Sequence, residues 1–120
     1  MDLKTLREKG GIVPSAPVKQ EVTWEHKAED GSDLTDTFTV FIRRLSCGVI
    51  DRIRSAARDE AKGEAVLSER ALIISEAVLL GEDGSERLSY EDADALEPSL
   101  AAALTAAVNA VNSGGVSPKN

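Results

Sequence analysis

The chain has 120 residues, 42% of them hydrophobic and 29% charged, with a formal net charge of −7 and a pI near 4.7. That length holds one domain with a single modest core, burying about two-thirds of the surface of the unfolded chain, and excludes a large two-domain enzyme. Twenty-one acidic residues against fourteen basic ones leave no positive excess for a phosphate-binding surface, so nucleic acid is not an expected partner.

Asp2 can cap a short helix in which Leu3 and Leu6 share a face, and Gly10-Gly11 stops it. The charged N-terminal segment does not have the form of a signal peptide. No apolar run reaches the eighteen or so residues of a membrane span, so a cytoplasmic, membrane-free protein is expected. Ile12 to Pro17 reads as a linker. From Val18 the period becomes two: Val18, Gln20, Val22, Trp24 and His26 share one face of a half-buried strand, opposite Lys19, Glu21, Thr23 and Glu25. The polar run Lys27 to Asp36 is a loop with a glycine turn, and Thr37 to Arg43 is a second strand, giving an antiparallel hairpin. Phe41 faces away from Phe38, so either the second strand is covered on both sides or Phe41 meets a partner.

Ser46 caps a helix with Val49, Ile50, Ile53, Ala56 and Ala57 on its apolar side, ending at Gly63. A second amphipathic helix is expected from about Ala65 to Leu80. Gly81 to Ser85 is a turn containing Asp-Gly, flanked by segments too short to assign firmly as strands. Ser89 to Asp92 has the form of a capping box, and Pro98 predicts either a new helix or a kink. Ser99 to Asn112 is alanine-rich with a stripe of Leu100, Ala103, Leu104, Ala107, Val108 and Val111. The expected organisation is a short helix and linker over residues 1–16, an α+β domain over residues 17–112, and a mobile tail over residues 113–120. In that domain an antiparallel hairpin packs against three to four helices. With aromatic residues at only 3%, the core is aliphatic and Trp24→Ala costs roughly 3–5 kcal/mol if Trp24 belongs to it.

Catalytic, cofactor and metal sites are not expected. Cys47 is the single cysteine and opens a helix, where a thiol is acidified, but no second motif completes a dyad with the single histidine, His26. The acidic loop Asp30 to Asp36 lacks the ligand spacing of a calcium loop, with glycine second instead of sixth. Arg43, Arg44, Arg52, Arg54 and Arg58 form a basic cluster that reads first as surface ion pairs with Asp51, Asp59 and Glu60, and otherwise as a dock for an acidic partner.

The order of these pieces carries a resemblance. Val22-Thr23-Trp24, the run Phe38 to Leu45, Asp51-Arg52-Ile53, the helix Arg70 to Val78, the Gly-Glu-Asp-Gly turn and Leu88 to Ala93 together resemble the small tail assembly chaperones of long-tailed phages and prophages, from about Val18 to Val111. The resemblance implies a non-enzymatic, self-associating factor in the host cytoplasm. It would coat the tape measure protein, help recruit tail tube subunits and be absent from the finished virion. The competing reading is a small structural tail or head-to-tail completion protein of the virion. Members of the family are often also made in a longer form by frameshifting, and Ser117-Pro118-Lys119 can be encoded by a slippery heptamer. A chaperone needs apolar surface for its client and net charge for solubility. The C-terminal stripe reads first as core, and otherwise as a helix-in-groove contact; the candidate partner-binding residues are Phe41 on the hairpin and Leu100, Leu104, Val108 and Val111 on the C-terminal helix, with slightly more weight on the helix.

Overall fold

Hydroxyl and carboxylate caps set the helix starts in the computed structural model, which describes residues 1–58 and 67–113. Asp2 accepts from the Thr5 amide at the head of α1 (Leu3–Glu8), and Ser46 accepts from Val49 at the head of α2 (Cys47–Ala57). Ser68 accepts from Ala71 to start α3 (Glu69–Ala77), and Ser89 accepts from Asp92 at 3.0 Å to start α4 (Tyr90–Asp94). Each bond satisfies an amide that has no partner within its helix. Glu97 caps α5 (Pro98–Asn112), so Pro98 is the first residue of a new helix, where its missing N–H is harmless.

The strands β1 (Val18–Lys27) and β2 (Asp33–Ile42) pair over ten consecutive positions, from Val18 opposite Ile42 to Lys27 opposite Asp33. Their turn is closed by Ala28 N–H to Ser32 and Gly31 N–H to Ala28, with Gly31 at φ +88°. This is a three-residue hairpin loop whose last residue must be left-handed, which glycine supplies without strain.

The hairpin widens into a four-stranded antiparallel sheet of order β1-β2-β3-β4. β3 (Val78–Leu80) pairs with Phe41 and Ile42, and β4 (Glu86–Arg87) pairs with β3. The helix expected to run to Leu80 therefore ends at Ala77. Val78 is extended, and the Arg43 N–H donates to the Ala77 carbonyl at 2.8 Å, so sheet pairing takes over the last apolar turn. α2 ends at Ala57, before the stop expected at Gly63, and α3 starts at Glu69, after the start expected near Ala65, because the Ser68 cap fixes it; residues 59–66 and the tail beyond Ser113 lie outside the described residues.

The core gathers one face of the sheet and the inner faces of α3, α4 and α5. Val22, Val40, Ile42, Ile74, Val78 and Val108 are among its buried members. Val40, Ile42 and Ile74 are fully inaccessible to solvent. The α+β class expected from the sequence is the observed one, and its sheet is larger than the hairpin alone.

Candidate partner-binding surfaces

α5 runs along the base half of the hairpin. At its start, Trp24 Nε1 donates to Ser99 Oγ at 2.8 Å. At its end, Asn112 accepts from the Leu45 N–H at 2.7 Å and donates to the Arg43 carbonyl. The stripe expected to meet a partner faces inward instead. Leu104 and Val108 are each 2% exposed and Val111 7%, all packed in the core, while Leu100 is half-buried against its edge. Of the two readings of that stripe, core and partner contact, the burial of Leu104, Val108 and Val111 favours core: an alanine-rich helix lies close to the sheet, and its large residues fill the space between them. Alanine flanks make such a helix legible as closely packed but do not say whether the neighbour belongs to the same chain.

Phe41 is half-buried on the other sheet face. The turn between β3 and β4 folds over it, and a Cβ added at Gly84, which sits at φ +72°, would come within 2.9 Å of its ring. Lys19 Nζ lies over the ring, 6.0 Å from its centroid. Of the two alternatives left by its orientation, cover within the chain accounts for much of its surface, and a shallow cleft beside Lys19, Thr39 and Glu82 leaves the rest accessible.

Beyond Trp24 the hairpin is largely bare among the described residues. Asp33 to Thr37 are all exposed. Trp24 stacks on His26 with ring centroids 3.7 Å apart and planes 13° from parallel, and His26 Nε2 lies 2.6 Å from Asp36 Oδ2. Ser99, the acceptor of the Trp24 bond, itself donates to the Glu97 carboxylate. Trp24, His26, Ser99 and Glu97, with Leu34, line an open cleft of about 820 Å³. Trp24 is therefore not a core residue but the boundary between covered and bare hairpin. The ring partners of His26 are Trp24 and Asp36, so Cys47, exposed at the start of α2, is not paired with it.

Among the described residues, four carboxyl groups are held below their usual range by short-range hydrogen bonds: Asp2 by Thr5, Asp30 by Ser32, Asp83 by Ser85 and Glu97 chiefly by Ser99. Asp30 is thus engaged in its own turn, with its Oδ1 accepting from the Ser32 amide and hydroxyl at 2.9 and 2.6 Å. The basic cluster is divided as well. Arg43 pairs with Glu76 at 2.6 Å, which also faces Arg87, rather than with the acidic residues expected from sequence proximity; Asp59 and Glu60 lie outside the described residues. Arg44 Nη1 points at the Val111 carbonyl near the end of α5, where a cation complements the helix dipole.

The remaining apolar exposure sits mainly on the N-terminal segment, which sequence reasoning did not single out as a contact. Met1 is 86%, Leu3 58% and Ile12 42% exposed, and α1 buries none of its residues. The signal was available: a two-turn helix with two leucines and no second apolar segment beside it has nothing local to cover it. Among the described residues no helix is long and apolar enough to cross a membrane. No curated protein and no solved structure matches the chain. A family model described as phage tail assembly chaperone matches residues 4–112, nearly the whole described fold, and the chain belongs to that family.

Proposed function

We propose that this chain is a non-enzymatic chaperone that binds the tape measure protein in the host cytoplasm and assists tail tube assembly, leaving before the virion is complete. The observation that carries the reading is the family match over residues 4–112. Two physical features support it. Apolar side chains at Leu3, Leu6, Ile12 and Leu34 stay at the surface, available to an apolar client, and a net charge of −7 opposes aggregation where many copies gather. Phe41 and Leu100, each partly accessible, remain in the proposed contact set. Copies of the chaperone associate with one another as they cover the client, and a longer frameshifted form carries the same domain.

Co-expression with a tape measure fragment followed by affinity capture tests the reading. Capture of the fragment by the wild-type chain, reduced in Leu3→Ser/Leu6→Ser with unchanged folding, is the expected result. Recovery of the chain as a stoichiometric component of purified virions would overturn it.

A further inference from the structure

The first strand ends the sheet. Among the described residues β1 pairs with β2 on one side and with no strand on the other, over ten residues without a proline or an interruption of register. Natural sheets blunt so long an edge with proline, bulges, a covering element or charge, and of these β1 carries only charge, at Lys19, Glu21, Glu25 and Lys27.

The hairpin turn tells which backbone groups face outward. The Ala28 N–H donates to the Ser32 carbonyl, so these two form a hydrogen-bonded pair, and in an antiparallel ladder such pairs recur at every second residue. The even-numbered residues of β1 therefore bond to β2. The odd-numbered ones, Lys19 to Lys27, turn their N–H and C=O groups to the open edge.

Their side chains, all exposed, read Lys19, Glu21, Thr23, Glu25, Lys27, a charge palindrome about Thr23. Two copies pairing antiparallel about Thr23 would oppose Lys19 to Lys27 and Glu21 to Glu25, like against like. Centring one residue away cures this. About Val22, Lys19 meets Glu25; about Trp24, Glu21 meets Lys27.

Helix size decides between them. α5 has fifteen residues and spans about 22 Å, close to the roughly 20 Å of strand from Trp24 back to Val18, and it packs mainly on β1. Paired strands sit about 4.8 Å apart, whereas packed helices need about 8–10 Å. Centring on Val22 overlaps the two α5 helices along residues 20–24. Centring on Trp24 sets each helix-covered half beside the bare half of the other copy.

We infer that the open edge of β1 is an interface for a second copy of this chain, joined antiparallel about Trp24 so that Glu21 faces Lys27 across the two-fold and the two Trp24 rings meet. The interface deepens the self-association in the proposed function, without relying on client binding. Trp24, the single tryptophan, reports on it directly.

The test is sedimentation of the full chain across a concentration series, with Trp24 emission followed in parallel. The expected result is a monomer–dimer equilibrium with blue-shifted emission in the dimer. Thr23→Pro removes an N–H that only the open edge uses and abolishes the dimer. Glu21→Lys weakens it by roughly tenfold, and Glu21→Lys/Lys27→Glu restores it. Circular dichroism establishes folding, and if Thr23→Pro does not fold the charge series decides alone. A chain that stays monomeric throughout, or a dimer indifferent to the charge series, overturns the interface. Client capture by a monomeric chain would leave the proposed function standing, and a dimer without client capture would do the reverse.

Discussion

The two halves of the β1–β2 hairpin share one ladder and one alternation, yet they differ in what lies above them. From Val18 to Trp24 the inner face is roofed by α5, and Val22, Val40 and Ile42 are buried. From Glu25 to Asp36 the same pleat carries His26, Leu34 and Asp36, and Asp33 to Thr37 are exposed. Strand pairing alone thus accounts for the shape of the outer half, while burial accounts for the stability of the inner half. A ladder of ten pairs held by a core along only part of its length is an arm, suited to offer side chains and backbone to another molecule.

The largest expected effect comes from breaking the roof. Leu104→Ala removes a side chain packed between α5 and the sheet and costs about 2–5 kcal/mol in denaturant unfolding. Leu104→Asp places an unpaired carboxylate there and prevents folding altogether. A folded Leu104→Asp variant would show that α5 is not the roof of the inner half. Next comes the cover on the opposite face. Gly84→Ala must hold a non-glycine residue at φ +72° and push its Cβ against the Phe41 ring, for a loss of about 1–3 kcal/mol. If thermal melting is unchanged, the turn does not press on Phe41.

The contrast between the halves was partly legible in the sequence. The period-two run from Val18 to His26 and the alternation around Phe38 and Val40 located the strands, and Ser46 and Ser89 located helix starts, because caps and pleats are local rules; Lys27 and Asp33 to Asp36, read as loop from their polarity, belong to the strands because the ladder continues to the turn. What lies over each strand is set by tertiary contact. The same logic explains Val78 to Leu80: as an isolated segment it continues the apolar stripe of α3, but beside Phe41 and Ile42 it completes a sheet. It also explains why Leu104, Val108 and Val111 could be read either as core or as a partner contact. A helical stripe says that something covers it, and only the fold shows that the cover is this chain's own sheet.

Trp24 sharpens the boundary between halves. Its ring stacks on His26 and its N–H bonds to Ser99, so Trp24→Ala loses one hydrogen bond and one aromatic contact, about 1–2 kcal/mol, below the value expected of a core tryptophan. A loss as large as that of Leu104→Ala would extend the core into the outer half. Ser99→Ala, which removes the acceptor and keeps the ring, should cost less than Trp24→Ala.

The smallest effect is one of acidity, and it tests whether the halves open separately. Asp30 at the hairpin turn and Glu97 at the start of α5 are acidified by hydrogen bonds that only the folded chain makes, chiefly from Ser32 and Ser99. A carboxylate with a lowered folded pKa adds stability that is fully present above the usual carboxylate range and is lost as pH falls through the lowered value, so the window opens below about pH 4. The Ser32 amide, which donates to Asp30, should then lose hydrogen-exchange protection before the amides of the core strands around Val40 do. Asp30→Ala should abolish this local step and leave the core amides unchanged. Simultaneous loss of protection at Ser32 and Val40 would make the hairpin one cooperative unit, because an arm free to respond to a partner must be able to open while its base stays closed.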